Sequence, residues 1–151
     1  MTHNLDLKNI KYSEEELFNN INSFSDVDWF NISIYQDLTE KFIKKHLNKF
    51  KNFWYYISIN QSLSEKFIEK YSNKVYWNCI SEFQILSEEF IEKHLFEVNW
   101  YSISAYQVLS EQFVKKHIDK ISINGLMLNK NISEKAKNKI KKEISLLKEI
   151  I

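Results

Sequence analysis

The amino-acid sequence predicts an all-α fold, a short α-solenoid of stacked two-helix repeats closed by a C-terminal capping helix. Three observations carry that prediction. A nine-residue block recurs as Leu38–His46, Leu63–Tyr71, Leu86–His94 and Leu109–His117, and a weaker copy opens at Ile132. The leading apolar residues therefore stand 25, 23, 23 and 23 positions apart. Between these copies lies a second block in which Trp, Ile-Ser and Gln keep fixed offsets: Trp29 to Gln36, Trp54 to Gln61, Trp77 to Gln84 and Trp100 to Gln107. Finally, the 151 residues hold no proline and one glycine, Gly125, which disfavours an all-β chain built on Gly/Pro turns. Self-similarity at a period of roughly 20–50 residues marks a repeat architecture, because one short unit cannot bury its apolar face alone.

The chain is expected to form one domain over residues 1–151. Residues 1–28 are its N-terminal cap, keeping only a degenerate lead-in at Tyr12-Ser13-Glu14-Glu15-Glu16-Leu17-Phe18. Residues 29–131 hold the repeats. In each first block Ser or Thr supplies an N-cap oxygen for an orphan backbone N–H. Glu follows at once, at Glu40, Glu65, Glu88, Glu111 and Glu134, where negative charge meets the positive helix end. Lysine closes the second turn at Lys45, Lys70, Lys93, Lys116 and Lys139, against the negative end. Phe90, Ile91, His94, Leu95 and Val98 follow helical spacing and predict one apolar face.

The second block admits two readings. Val98-Asn99-Trp100-Tyr101 is rich in strand formers, and a strand there would give a leucine-rich-repeat-like α/β solenoid. The Trp-to-Ile spacing of three breaks the alternation of a strand and favours a two-turn helix. Residues 132–151 are the predicted capping helix, lysine-rich, with Ala136, Ile140, Ile144, Leu147 and Ile151 along one side.

Charge is balanced overall, at 21 basic against 20 acidic residues, and uneven along the chain. Residues 1–40 carry net −6, 41–129 net +3 and 130–151 net +4, which invites head-to-tail self-association. Every basic residue is lysine; the missing arginine removes the best bidentate readers of phosphate and guanine. Lys, Ile, Asn, Phe and Tyr supply half of the chain, a bias towards A/T-rich codons that suggests a low-GC bacterial, phage or viral genome. No basic stretch leads into an apolar segment after Met1, and no apolar run nears the ~18 residues of a membrane-spanning helix. The expected location is the cytoplasm, with no membrane partner.

Candidate chemistry is sparse. His46, His94 and His117 share one repeat position, so they stand a whole repeat apart, roughly 8–10 Å along a helical stack. Metal ligands must converge at about 2 Å on one ion, so these histidines are read as packing or helix-end residues and His3 as carrying no signal. Cys79, the sole cysteine, has no histidine base in its own copy and is read as an inert, buried thiol. The first-turn glutamates are explained by helix ends, without acid–base work. Trp29, Trp54, Trp77 and Trp100 are read as core, and the four glutamines as partners for turn backbone. No catalytic residue, cofactor or metal site is expected, and the chain is not expected to be an enzyme.

Partner binding is placed on positions that vary between copies. After each Trp come Phe30, Tyr55, Asn78 and Tyr101, and before each Gln come Tyr35, Asn60, Phe83 and Tyr106. Aromatics free to vary at a surface suit protein recognition, so Phe30, Tyr35, Tyr55, Tyr101 and Tyr106 are the candidate contacts. Lys135, Lys137, Lys139, Lys141 and Lys142 on the C-terminal helix are the candidate basic contacts for an acidic protein or nucleic acid.

The phrase Leu86-Ser87-Glu88-Glu89-Phe90-Ile91-Glu92-Lys93-His94, followed by Val98-Asn99-Trp100 and Ile103-Ser104-Ala105-Tyr106-Gln107, resembles short repeats in proteins of giant DNA viruses and some phages. The resemblance covers most of residues 29–117 and brings no functional residue with it. Two departures stand out: two extra residues between Phe42 and Trp54, and Ile123 where a fifth Trp would stand. A phage or viral source, working in a host cytoplasm, implies an inhibitor of a host defence system, such as a CRISPR effector nuclease blocked by steric occlusion. The reading from the repeats themselves is broader: a non-enzymatic helical-repeat protein that binds another macromolecule, chiefly a protein, with an RNA-binding repeat platform as the alternative.

Overall fold

The computed structural model describes residues 5–148, and their side chains except those of 144 and 146–148. Among the described residues the chain forms eleven α-helices and no strand. It divides into two compact units, Met1–Tyr76 and Trp77–Ile151. The first holds α1 (Glu14–Asn19), a single 3₁₀ turn (Ile21–Ser23), α2 (Asp26–Tyr35), α3 (Glu40–Lys45), α4 (Trp54–Asn60) and α5 (Glu65–Lys70). The second holds α6 (Trp77–Phe83), α7 (Glu88–Lys93), α8 (Trp100–Tyr106), α9 (Glu111–Lys116), α10 (Ile123–Leu128) and α11 (Glu134–Lys148). The second block of every copy is thus helical, and the α/β alternative is overturned. Within the units α2 packs on α4, and α8 packs on both α6 and α10, the stacking of successive two-helix repeats. No helix of the described residues is long and apolar enough to cross a membrane.

The six-residue helices α3, α5, α7 and α9 are too short to persist alone. Their ends are closed locally. The hydroxyls of Thr39, Ser64, Ser87 and Ser110 accept from the N–H of Phe42, Phe67, Phe90 and Phe113. His46, Tyr71, His94 and His117 are the C-caps, and their carbonyls accept from residues three and four further on, such as Glu97 and Val98. The apolar spacing read through Val98 is therefore real, although the helix stops at Lys93 and a hydrogen-bonded turn carries the winding onward.

Packing explains the constant aromatics. Each Trp is clasped by the Phe and the C-cap ring of the helix that follows it: Trp29 by Phe42 and His46, Trp54 by Phe67 and Tyr71, Trp77 by Phe90 and His94, Trp100 by Phe113 and His117. Ile32, Ile57, Ile80 and Ile103 sit beneath them, fully buried, each contributing about 1.5–3 kcal/mol by its removal from water. The histidine slot takes Tyr71 equally well because its task is to present a flat ring.

Three polar contacts repeat along the stack and satisfy backbone that short helices leave orphaned. The glutamines reach back to the preceding copy. Gln61 accepts from Leu38 N–H and donates to the carbonyls of Ser33 and Gln36; Gln107 accepts from Leu86 N–H and donates to Ser81 and Gln84. Gln36 does the same for the N-terminal cap, accepting from Tyr12 N–H and donating to Leu7 and Ile10. The buried serines receive the chain that enters the next helix: Tyr76 N–H donates to Ser58, Asn99 N–H to Ser81 and Ser122 N–H to Ser104. The glutamates bond the following N-cap backbone, Glu14 to Thr39, Glu40 to Ser64 and Glu88 to Ser110. Helix-end electrostatics alone, the reading from sequence, misses this link between copies.

The last repeat is adapted. Asn129 takes the glutamine's part, donating to the carbonyls of Ser104 and Gln107. Gly125 occupies the place of Cys79 and Ser102, where a Cβ would lie 2.6 Å from the Tyr101 carbonyl oxygen, so α10 approaches α8 closely. Helix α11 buries Ile140 and half-buries Ala136. The side chains of Ile144 and Leu147, and the whole of Ile151 and His3, lie outside the described residues.

Candidate interaction surface

The groups that could do chemistry are packed into the core or into contacts between copies. Burial, with some help from Lys45 and Lys49, holds the His46 imidazole below its ordinary pKa while its ring lies against Trp29 and Phe42. His117 meets Glu92 at 3.2 Å, and Lys116 joins it at 2.6 Å; these two hydrogen bonds hold the Glu92 carboxyl below the usual range. Cys79 is buried, and burial together with nearby Glu82 pushes its thiol pKa up, away from a reactive thiolate. Partial burial opposes ionisation of Glu40, but hydrogen bonds from Ser64 and Lys44 prevail and lower its pKa. Among the described residues no three His, Cys, Asp or Glu side chains converge as a metal site.

The candidate contacts fall into different settings. Tyr35, Tyr55, Tyr101 and Tyr106 are exposed. Phe30 is half-buried, its ring edge-to-face with Phe53 and Tyr56. Lys135, Lys139, Lys141 and Lys142 are exposed, with Lys139 3.9 Å from Glu111. Lys137 is not a surface residue: it is 5% exposed, and its ammonium donates to the Met127 carbonyl and to Glu134. Its stem lies on the face shared with Ile140, three residues on, and its charge closes the C-terminal end of α10.

The second unit presents a feature that the sequence reading passed over. Phe83, Tyr106 and Leu128 are the last residues of α6, α8 and α10, and all three are exposed. Two residues after Phe83 and Tyr106 the chain turns Ile85 and Val108 outward, at 92% and 70% exposure. Between each pair Gln84 or Gln107 is buried, so the extended backbone alternates out, in, out. Because α8 packs on α6 and on α10, these five apolar side chains form a row along one edge. The same positions in the first unit are Tyr35 and Asp37, then Asn60 and Ser62, a mostly polar edge. The signal was available: the residue after each Gln is Asp37, Ser62, Ile85 or Val108, as variable between copies as the aromatics that were singled out.

Compared with family models, curated proteins and solved structures, the chain matches none.

Proposed function

We propose that this is a non-enzymatic helical-repeat protein that acts by binding another protein, through the apolar edge of the second unit. The observation that carries the reading is the row Phe83, Ile85, Tyr106, Val108 and Leu128. Single exposed apolar residues are ordinary, whereas a contiguous patch on rigid elements suits a docking surface. The repeats supply a stiff support, each edge residue standing next to the buried Gln84, Gln107 or Asn129, so little ordering is needed on binding. The action would be occlusion or scaffolding, and the packed histidines and cysteine favour binding over catalysis.

The test is affinity capture with the full chain from cells that carry the gene, with and without nuclease, beside the Ile85→Asp/Val108→Asp double variant. The expected result is a protein partner that survives nuclease and is lost with the double variant. Burying two aliphatic side chains is worth about 3 kcal/mol or more, a loss beyond a hundredfold. Retained capture by the variant, or capture abolished by nuclease, would overturn the reading. Sedimentation of the purified chain at low and high salt separates self-association through the oppositely charged ends from binding to a different protein.

A further inference from the structure

The first unit carries a second surface of another character. Residues 41–76 hold eight lysines against two acids, Glu65 and Glu69. Six of those lysines, Lys44, Lys45, Lys49, Lys51, Lys70 and Lys74, stand in the last turns of α3 and α5 or in the connections that follow them. Several are already engaged: Lys44 with Glu40, Lys45 over the Phe18 ring, Lys70 over Tyr71. Lys51 and Lys74 are exposed and in no ion pair among the described residues, and they face one open groove of about 430 Å³. Asn52, Asn73, Trp54 and Tyr76 complete its lining.

Beside the groove the aromatic rings form a chain in edge-to-face contact: Phe53 to Phe30, Phe30 to Tyr56, Tyr56 to Tyr55, Tyr55 to Tyr76, with centroids 4.9–6.1 Å apart. Phe53, Phe30 and Tyr56 are half-buried, and Tyr55 and Tyr76 reach solvent. This arrangement depends on the irregularity of the first repeat. From the last core residue of the turn to the Trp, the interval is Phe50 to Trp54 here and Val75 to Trp77 or Val98 to Trp100 elsewhere. The two added residues fall in the stretch that supplies Lys51, Asn52 and the Phe53 ring.

We infer that this groove binds single-stranded nucleic acid, with Lys51 and Lys74 on the phosphates and Tyr76 and Tyr55 as the stacking platform for bases. Cations beside exposed flat rings and side-chain amides are the components of sequence-tolerant single-strand binding. Lysine acts there as a point charge, and bidentate base readout by arginine is not required, which agrees with an arginine-free chain. An acidic protein segment would use the lysines and leave the rings idle. The site lies on the first unit and does not depend on the apolar edge of the second.

The experiment is fluorescence anisotropy of the full chain with labelled oligo(U), oligo(dT) and a duplex of equal length, over a salt series. Variants are Lys51→Gln/Lys74→Gln, Tyr76→Ala, and the charge-matched control Lys115→Gln/Lys130→Gln on the second unit. Binding to one or both single strands is expected, tighter to oligo(U) if the 2′-hydroxyl is read and equal if it is not. The duplex should bind at least tenfold more weakly. Losing two phosphate contacts should flatten the slope of log affinity against log salt by about 1.4. Tyr76→Ala should weaken binding roughly tenfold at every salt concentration. The idea fails if the control pair costs as much as Lys51→Gln/Lys74→Gln, if Tyr76→Ala binds normally, or if polyglutamate competes as well as the oligonucleotide.

Discussion

Replacing Gln107 by methionine tests what holds one copy to the next. Methionine keeps the length and volume of the side chain and removes its polar atoms. Three hydrogen bonds disappear: the 3.0 Å bond from Leu86 N–H, the 3.0 Å bond to the Ser81 carbonyl and the 2.7 Å bond to the Gln84 carbonyl. A buried neutral hydrogen bond contributes about 1 kcal/mol net, and a donor or acceptor left unpaired costs more, so Gln107→Met should lose about 3 kcal/mol. For a chain of this length that corresponds to roughly 6–12 °C in Tm. Repeat proteins open piecewise, so a global melt should be joined by amide hydrogen exchange, with the Leu86 amide as the local reporter. The control is Gln112→Met, an exposed position on α9, which should stay within about 0.5 kcal/mol. A loss below 1 kcal/mol with unchanged protection at Leu86 would refute the claim that these amides hold the stack.

Other outcomes follow from single contacts. Gly125→Ala would ordinarily gain about 1 kcal/mol in a helix, yet its Cβ would sit 2.6 Å from the Tyr101 carbonyl oxygen, so the variant should lose about 1–3 kcal/mol in a urea melt. A gain would show that α10 can move away without loss. His46, whose pKa is lowered in the folded chain, binds its proton more readily when unfolded. Its contribution is therefore full above the ordinary value of about 6.5 and is lost as pH falls through the lower folded value. Stability measured from pH 7.5 to 5 should decline, and His46→Phe should flatten that decline; equal slopes would remove His46 as the cause. Glu40 acts lower on the scale: its contribution holds above the ordinary carboxylate range and fades below it, a loss that Glu40→Gln should remove from an acid titration.

Much of the fold was legible because two-turn helices write their ends into the sequence. Thr39, Ser64, Ser87 and Ser110 mark the starts, the following Glu confirms them, and the Trp-to-Ile spacing separates helix from strand at Trp54 and Trp100. What spacing cannot give is the direction of a contact across the stack. Gln61 could have served its own turn or either neighbour, and only the backbone geometry sends it back to Ser33 and Gln36. Asn129 was invisible for a related reason: α10 is one residue shorter than α8, so a side chain one methylene shorter performs the glutamine's task from a shifted position. Lys137 misled in the opposite way. A lysine in a basic helix reads as solvated, yet its place three residues before Ile140 puts its stem on the apolar face, and the Met127 carbonyl receives its ammonium.

The copies also separate the residues that build from those that can differ. Side chains constant among copies, the Ile, Phe, Ser and Gln, are buried or bonded to a neighbouring copy, so their repetition is fully accounted for by packing. A binding surface must therefore be sought where the copies disagree, and the two units disagree in distinct ways. In the second unit the positions flanking the buried Gln become Phe83 and Ile85, then Tyr106 and Val108, where the first has Asn60 and Ser62. In the first unit two added residues bring Lys51 and Asn52 beside Tyr76. If repetition alone governed the surface, exchanging Asn60 and Ser62 for Phe and Ile would leave binding as it was. If surface variation carries the binding, that exchange should give the first unit an apolar edge of its own and promote self-association, read as a concentration-dependent rise in sedimentation coefficient.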